Sequence, residues 1–270
     1  MNADILRVPG ASLYYETRGT GPYLLISQSG EGDAGRSVDL VDRLADDHTV
    51  ITYDRRGLNR STIDAPHPGV SVRQHADDVH RLLAHLTDRP VIMLGQSMGA
   101  SIGLHLAARH PEQLSLLVAH EPVSPWLLPA AERARHVAEL AELRDLYLAA
   151  GLPAALAEIA RVLGITGDDA EPGLTPQPMT PQRRAGFDFF IRHDFRAVME
   201  DDLDLPGRQV RIVPAAGRAT PRTVFDHRCA VELARLLGTE VAEFPGGHNG
   251  NLSHPRAYAA RLREVVQSAA

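Results

Sequence analysis

The sequence predicts an α/β protein: a mostly parallel sheet with helices on both faces and a helical segment inserted into it. Three observations carry that reading. Short apolar runs alternate with amphipathic stretches from Tyr23 to His120, as strands joined by crossover helices do. The alternation stops at Pro122, gives way to helical patterning over residues 122–206, and resumes at "VRIVPA". At "VIMLGQSMGA", Val91 to Ala100, an apolar run ends at a glycine, and Ser97 sits between Gly95 and Gly99.

Each element has its own signal. Ile5–Val8 and Leu13–Thr17 alternate around "PGA" and predict a β-hairpin. "YLLIS" and the β-branched "TVITYD" predict strands, with a helix over Ser37–Asp46 between them. Val72, Ala76, Val79, Leu82, Leu83 and Leu86 share one helical face, which predicts a helix over Ser71–Leu86. "PVIML" is the next strand, followed by a helix over Met98–His110 that Pro111 closes. "LSLLVAH" ends the first run of strands. Helices are then expected over Ala130–Ala149, Pro153–Leu163 and Pro181–Glu200, with the proline- and glycine-dense loop "GDDAEPGLTPQPMTP" among them. Strands at Val210–Ala215 and Glu240–Phe244, a helix near Val224–Leu237 and a last helix over Pro255–Val266 complete the pattern. The domain reading is a core of residues 1–121 and 207–270 with a lid at 122–206.

Composition excludes several functions. With 270 residues, 44% of them hydrophobic, the chain can bury a sizeable core. Its net charge of −6 argues against a nucleic-acid partner. There is no apolar run long enough for a membrane span, and "MNADILRVPG" lacks the apolar stretch of a secretory signal, so a cytoplasmic protein is expected. The sequence holds no lysine, which removes Schiff-base, pyridoxal phosphate, Ser-Lys and P-loop chemistry together. Cys229 is the single cysteine, so no internal disulfide can form. "HADDVH" gathers His75, Asp77, Asp78 and His80, but the two histidines are five apart and do not share a helical face, so no metal site is expected. No cofactor is expected either, because "PGGHNG" lacks the spacing and position of a dinucleotide loop. The partner expected is a small-molecule substrate.

A serine on a sharp strand-to-helix turn is forced towards positive φ, and small residues two before and two after let the flanking backbones pass. The turn also presents the Met98 N–H at a helix N-terminus, where an oxyanion would form. "YDRRGLNRS" adds Asp54, Arg56, Gly57 and Ser61 in a spacing similar to the stretch after the fourth strand of α/β-hydrolases, with Asn59 at a left-handed position usually held by glycine. With "GQSMGA", the helical insertion and "PGGHNG", the chain resembles the α/β-hydrolase fold family over nearly its whole length.

The resemblance implies a serine nucleophile at Ser97 and a histidine base at His248, in the loop after the last strand. It also implies a second oxyanion N–H from Ser29 or Gly30 after "YLLIS". The family's usual place for the triad acid, here "AAGRATPRT", contains no carboxylate. Glu121, the first residue beyond "LSLLVAH", stands where relatives such as haloalkane dehalogenases carry theirs, on the same sheet edge as Ser97; Asp226 is the alternative. Glu31 is expected to face solvent. Trp126, Phe187, Phe189 and Phe190 are available to line an apolar substrate pocket. The implied function is a cofactor-free serine hydrolase acting on an ester, thioester or lactone of an apolar small molecule. The alternatives are lyase, perhydrolase or oxygenase chemistry on the same fold, or ligand binding without turnover.

Overall fold

The computed structural model describes residues 1–270 apart from 68, 168, 206–209 and 270. A sheet of nine strands forms the centre, in the order β1-β2-β4-β3-β6-β7-β8-β9, with the short β5 (Thr62–Ile63) beside β2. β2 (Ala11–Arg18) pairs antiparallel with both β1 (Asn2–Val8) and β4 (Thr49–Tyr53). From β4 onward through β3 (Tyr23–Ser27), β6 (Val91–Gln96), β7 (Leu114–His120), β8 (Ile212–Gly217) and β9 (Ala242–Phe244) every pairing is parallel.

The parallel strands are apolar at successive positions because both their faces are buried. In β3, Leu24 and Ile26 point to one face and Leu25 to the other; β7 divides Leu116 and Val118 from Leu117 and Ala119 in the same way. One face is covered by α1 (Val38–Leu44) and α10 (Pro255–Ala269) through Leu40, Leu44, Tyr258 and Leu262. The other is covered by α2 (Val72–Leu86), α3 (Met98–Arg109) and α8 (Phe225–Leu237) through Val79, Leu83, Ile102, Leu106 and Leu233. Ser71 caps α2 by accepting from the Gln74 N–H at 3.1 Å.

Between β7 and β8 the described residues form helices and loops only: α4 (Ala130–Ala150), α5 (Leu152–Val162), α6 (Pro181–Phe189) and α7 (Phe195–Met199). The boundary expected at 206/207 lies outside the described residues. The single helix expected over Pro181–Glu200 is interrupted by a π-helical turn at Phe190–Asp194, which aims Asp194 into the core beneath. The loop before α6 is tied down at two points. Glu171 accepts from the N–H groups of Arg256 and Ala257 at the start of α10, and Thr175 donates to Asp39 on α1. β8 starts two residues later than expected, β9 is shorter than "EVAEF", and an extra turn of helix, α9 (Gly250–Ser253), precedes α10. Among the described residues no helix is long and apolar enough to cross a membrane.

Candidate active site

β6 ends at Gln96 and α3 begins at Met98, so Ser97 alone makes the turn, with φ 51° and ψ −116°. Its N–H donates to the His120 carbonyl at the end of β7, at 2.9 Å. The neighbouring glycines are required by close approach. A Cβ at position 95 would stand 2.6 Å from the Gly99 carbonyl oxygen. One at position 99 would meet the carbonyls of Ser27 and Gln28. The Ser97 hydroxyl has no hydrogen-bond partner among the described residues.

His248 lies in the glycine-rich loop after β9, and its Nδ1 is 2.6 Å from Glu121 Oε2. An ionised carboxylate can only accept, so Nδ1 carries the proton and Nε2 is left basic. Glu121 is fully buried at the end of β7 with φ 45°, and its other oxygen accepts from the Gly217 N–H of β8 at 2.9 Å. Burial alone would raise the Glu121 pKa, but the hydrogen bond from His248 and the nearby imidazoles bring it down to about 2. Burial likewise opposes a charged His248, and the bond and charge of Glu121 outweigh it, raising the imidazole above its ordinary value.

The loop after β3 supplies backbone donors. The fully buried Arg55 accepts nothing and donates to three of its carbonyls, those of Gln28, Ser29 and Gly30, at 3.1, 2.6 and 2.8 Å. Its remaining bond goes to Asp194 of the insertion at 2.9 Å, and Asp194 in turn meets His75 Nε2 at 3.1 Å. With their carbonyls held, Ser29 and Gly30 have N–H groups that donate to no described residue, as does Met98 at the start of α3.

Ser97, His248, Ser29 and Gly30 line one cavity of about 280 Å³. Its far walls come from the insertion: Leu140 and Leu143 of α4, Leu156 and Ile159 of α5, and Phe187 and Phe190. Trp126 is not among them. It is partly buried against the core and borders a separate depression with Leu203, Leu205 and Leu236, because its 3₁₀ turn precedes α4 and meets α8. Phe189 is also turned away, towards His67 and His193. Glu31 is buried rather than solvent-facing, held between Arg36 and Arg183 on the cavity wall.

Other residues read from the sequence have structural partners. Asp54 accepts from the N–H groups of Ala34 and Arg60, and Arg56 forms a bidentate pair with Asp78 at 2.5 and 2.6 Å. Asn59 takes the left-handed conformation, φ 52°. His80 stacks on His110, and Asp77 pairs with Arg109; among the described residues no group of His, Cys, Asp or Glu is arranged to hold a metal. His254 bonds Ser253. Asp226, in the first turn of α8, lies 3.8 Å from His248 Nε2 and 3.4 Å from His136 Nε2. His136 and Glu139 of α4 also line the cavity, and the sequence reading passes them over. Their signal is the spacing of His136, Leu140 and Leu143, which places all three on one helical stripe.

A strained serine turn at the end of a parallel strand, with an imidazole–carboxylate pair beyond the ends of two further parallel strands, defines a class of protein. The chain belongs to the alpha/beta hydrolase fold family, whose model matches residues 24–203. It is 32% identical over 274 residues to the uncharacterized hydrolase YraK of Bacillus subtilis (strain 168), covering 99% of this chain and 97% of that one. It is 28% identical to 2-(acetamidomethylene)succinate hydrolase of Mesorhizobium japonicum over 80% of each chain. A solved hydrolase structure from Pseudomonas aeruginosa PA01 matches 98% of both chains with a TM-score of 0.69 at 24% identity.

Proposed function

We propose that this member of the family is a cofactor-free serine hydrolase, cleaving an ester, thioester or lactone of a small molecule through an acyl-enzyme. The observation that carries the reading is the 2.6 Å contact between His248 Nδ1 and the buried Glu121, which leaves Nε2 as a base on the cavity that Ser97 also lines. The hydrolase names of the relatives agree with it.

In this mechanism substrate entry brings Ser97 and His248 into hydrogen-bond contact, as loose free-enzyme geometries tighten on binding. Nε2 takes the Ser97 proton as Oγ attacks the carbonyl carbon. The resulting oxyanion accepts from the Met98 N–H and from Ser29 or Gly30, whose directions are set before substrate arrives. The imidazolium, stabilised by Glu121, then protonates the leaving group. Water activated by the same imidazole releases the acid and restores the serine. The insertion acts as a lid, with its leucine, isoleucine and phenylalanine side chains excluding water from the acyl chain.

A fluorophosphonate probe tests the proposal. It should label the wild-type protein once and leave Ser97→Ala unlabelled. Failure to label the wild type, or equal labelling of both, would overturn it.

A further inference from the structure

We propose that the cavity binds a monoanionic substrate, one whose carboxylate docks against Arg36 at the end of an otherwise apolar chain. The proposal rests on the serine-hydrolase reading of the same cavity and adds the substrate class.

The observation is a carboxylate shared by two guanidinium groups on one cavity wall. Arg36, on the oxyanion loop, Arg183, on α6, and Glu31 between them all line the cavity. Arg183 is well satisfied: it donates to both Glu31 oxygens and to the carbonyls of Gln177 and Pro178, and it lies over the Phe187 ring. Arg36 meets Glu31 with its Nε at 2.9 Å. Its two terminal nitrogens have no hydrogen-bond partner among the described residues and stay accessible, the side chain being 15% exposed. Two guanidinium groups thus share one carboxylate. Asp33, the next acid along the loop, is committed to Arg60 and to the Gly35 N–H.

Guanidinium donors left open at the cavity wall can pair with a carboxylate ligand, which supplies two acceptors in the matching planar geometry. Burial, with the neighbouring Arg183, presses the Arg36 pKa down against the pull of Glu31 and Asp33. The open donors of a single guanidinium suit one carboxylate better than a phosphate dianion. The remaining charged groups facing the cavity, His136 and Glu139 of α4, Asp226 of α8 and the His248 imidazole, lie on other elements. Asp226 and Glu139 repel an anion from that side, so a substrate with one carboxylate has one preferred orientation.

The test compares two esters of the same chain in each protein variant: mono-4-nitrophenyl adipate, with a free carboxylate, and its neutral methyl ester. Wild type should favour the anion in kcat/KM by about tenfold or more. Arg36→Met, or Arg36→Gln if the methionine variant does not fold, should bring the ratio close to one. Arg36→Lys should retain part of it, and Glu31→Gln, which frees more of the guanidinium charge, should raise it. A wild-type ratio of one or below, or a ratio that Arg36→Met leaves intact, overturns the proposal. If wild type hydrolyses neither ester, the hydrolase reading is what fails, and binding decides the charge question separately. Hexanoate should then raise Tm more than hexanamide does in wild type and not in Arg36→Met; equal shifts in both proteins would overturn the carboxylate site.

Discussion

Three non-glycine residues among those described have positive φ: Asn59, Ser97 and Glu121. Two of them are the proposed nucleophile and acid. Backbone held in such regions costs on the order of 1–3 kcal/mol per residue and persists only where surrounding structure imposes it. Ser97→Gly should therefore have a higher Tm than Ser97→Ala, by roughly 1 kcal/mol in stability, while both lose about 10⁶-fold in turnover. Equal melting temperatures would mean that the turn is unstrained. Glu121→Gln should lower kcat by roughly 10²–10⁴-fold. It should also move the pH profile. The base acts when neutral, and Glu121 raises the His248 pKa, so the wild-type rate should climb with pH through a midpoint above the ordinary 6.5 of histidine. The amide no longer favours the imidazolium, so the midpoint in Glu121→Gln should fall. An unchanged midpoint would assign the acid to Asp226. What is legible in the sequence at this scale is position relative to strand ends, where Ser97, Glu121 and His248 all lie. Aromatic character alone says nothing about which side of a turn a ring faces, and Trp126 shows it. Arg36 escapes the reading because Arg183, which competes with it for Glu31, lies far along the chain on another element.

At the scale of elements, strands and helices of the core follow from periodicity, because parallel strands buried on both faces and helices buried on one leave different apolar patterns. The exceptions have local causes. β5 is two residues long, too short for a period-2 signal, and the π turn at Phe190–Asp194 breaks a helix whose residues all tolerate helical geometry. What the turn accomplishes is tertiary: it delivers Asp194 to Arg55 and His75, and so links the insertion to the oxyanion loop. Asp194→Ala should strip the counter-charge from a fully buried guanidinium and cost about 3–5 kcal/mol in stability. In folded protein below the Tm, kcat should fall more than KM rises, because the loss acts through the donors of the Ser29–Gly30 loop. A rise in KM alone, with kcat intact, would mean that the network only shapes the substrate pocket.

Across the whole molecule, the insertion and core meet through buried histidine–carboxylate contacts as well as through apolar side chains. His136 of α4 faces Asp226 of α8 at 3.4 Å and Glu139 at 3.5 Å. Burial opposes its charge, but the two carboxylates outweigh burial and raise its pKa to about 9. A raised pKa means that the folded state holds the proton more tightly than the unfolded chain. The stabilisation is therefore full below about 6.5 and is lost as pH rises through about 9. Tm should fall over that window, and His136→Gln should flatten the fall. A slope identical to wild type would place the titration elsewhere, His248 being the other imidazole with a raised pKa.

The salt link between Arg55 and Asp194 also constrains how such a protein can be recombined. A scheme that seeks new specificities would graft another protein's insertion onto this scaffold. Here a transplanted segment that lacks a carboxylate at the right depth would leave Arg55 stranded, with its three carbonyl partners still in place. A chimera of this core should therefore fold only when the donor segment brings an equivalent acid, or when Arg55 is exchanged in the same step for a neutral residue able to hold the Gln28–Gly30 carbonyls.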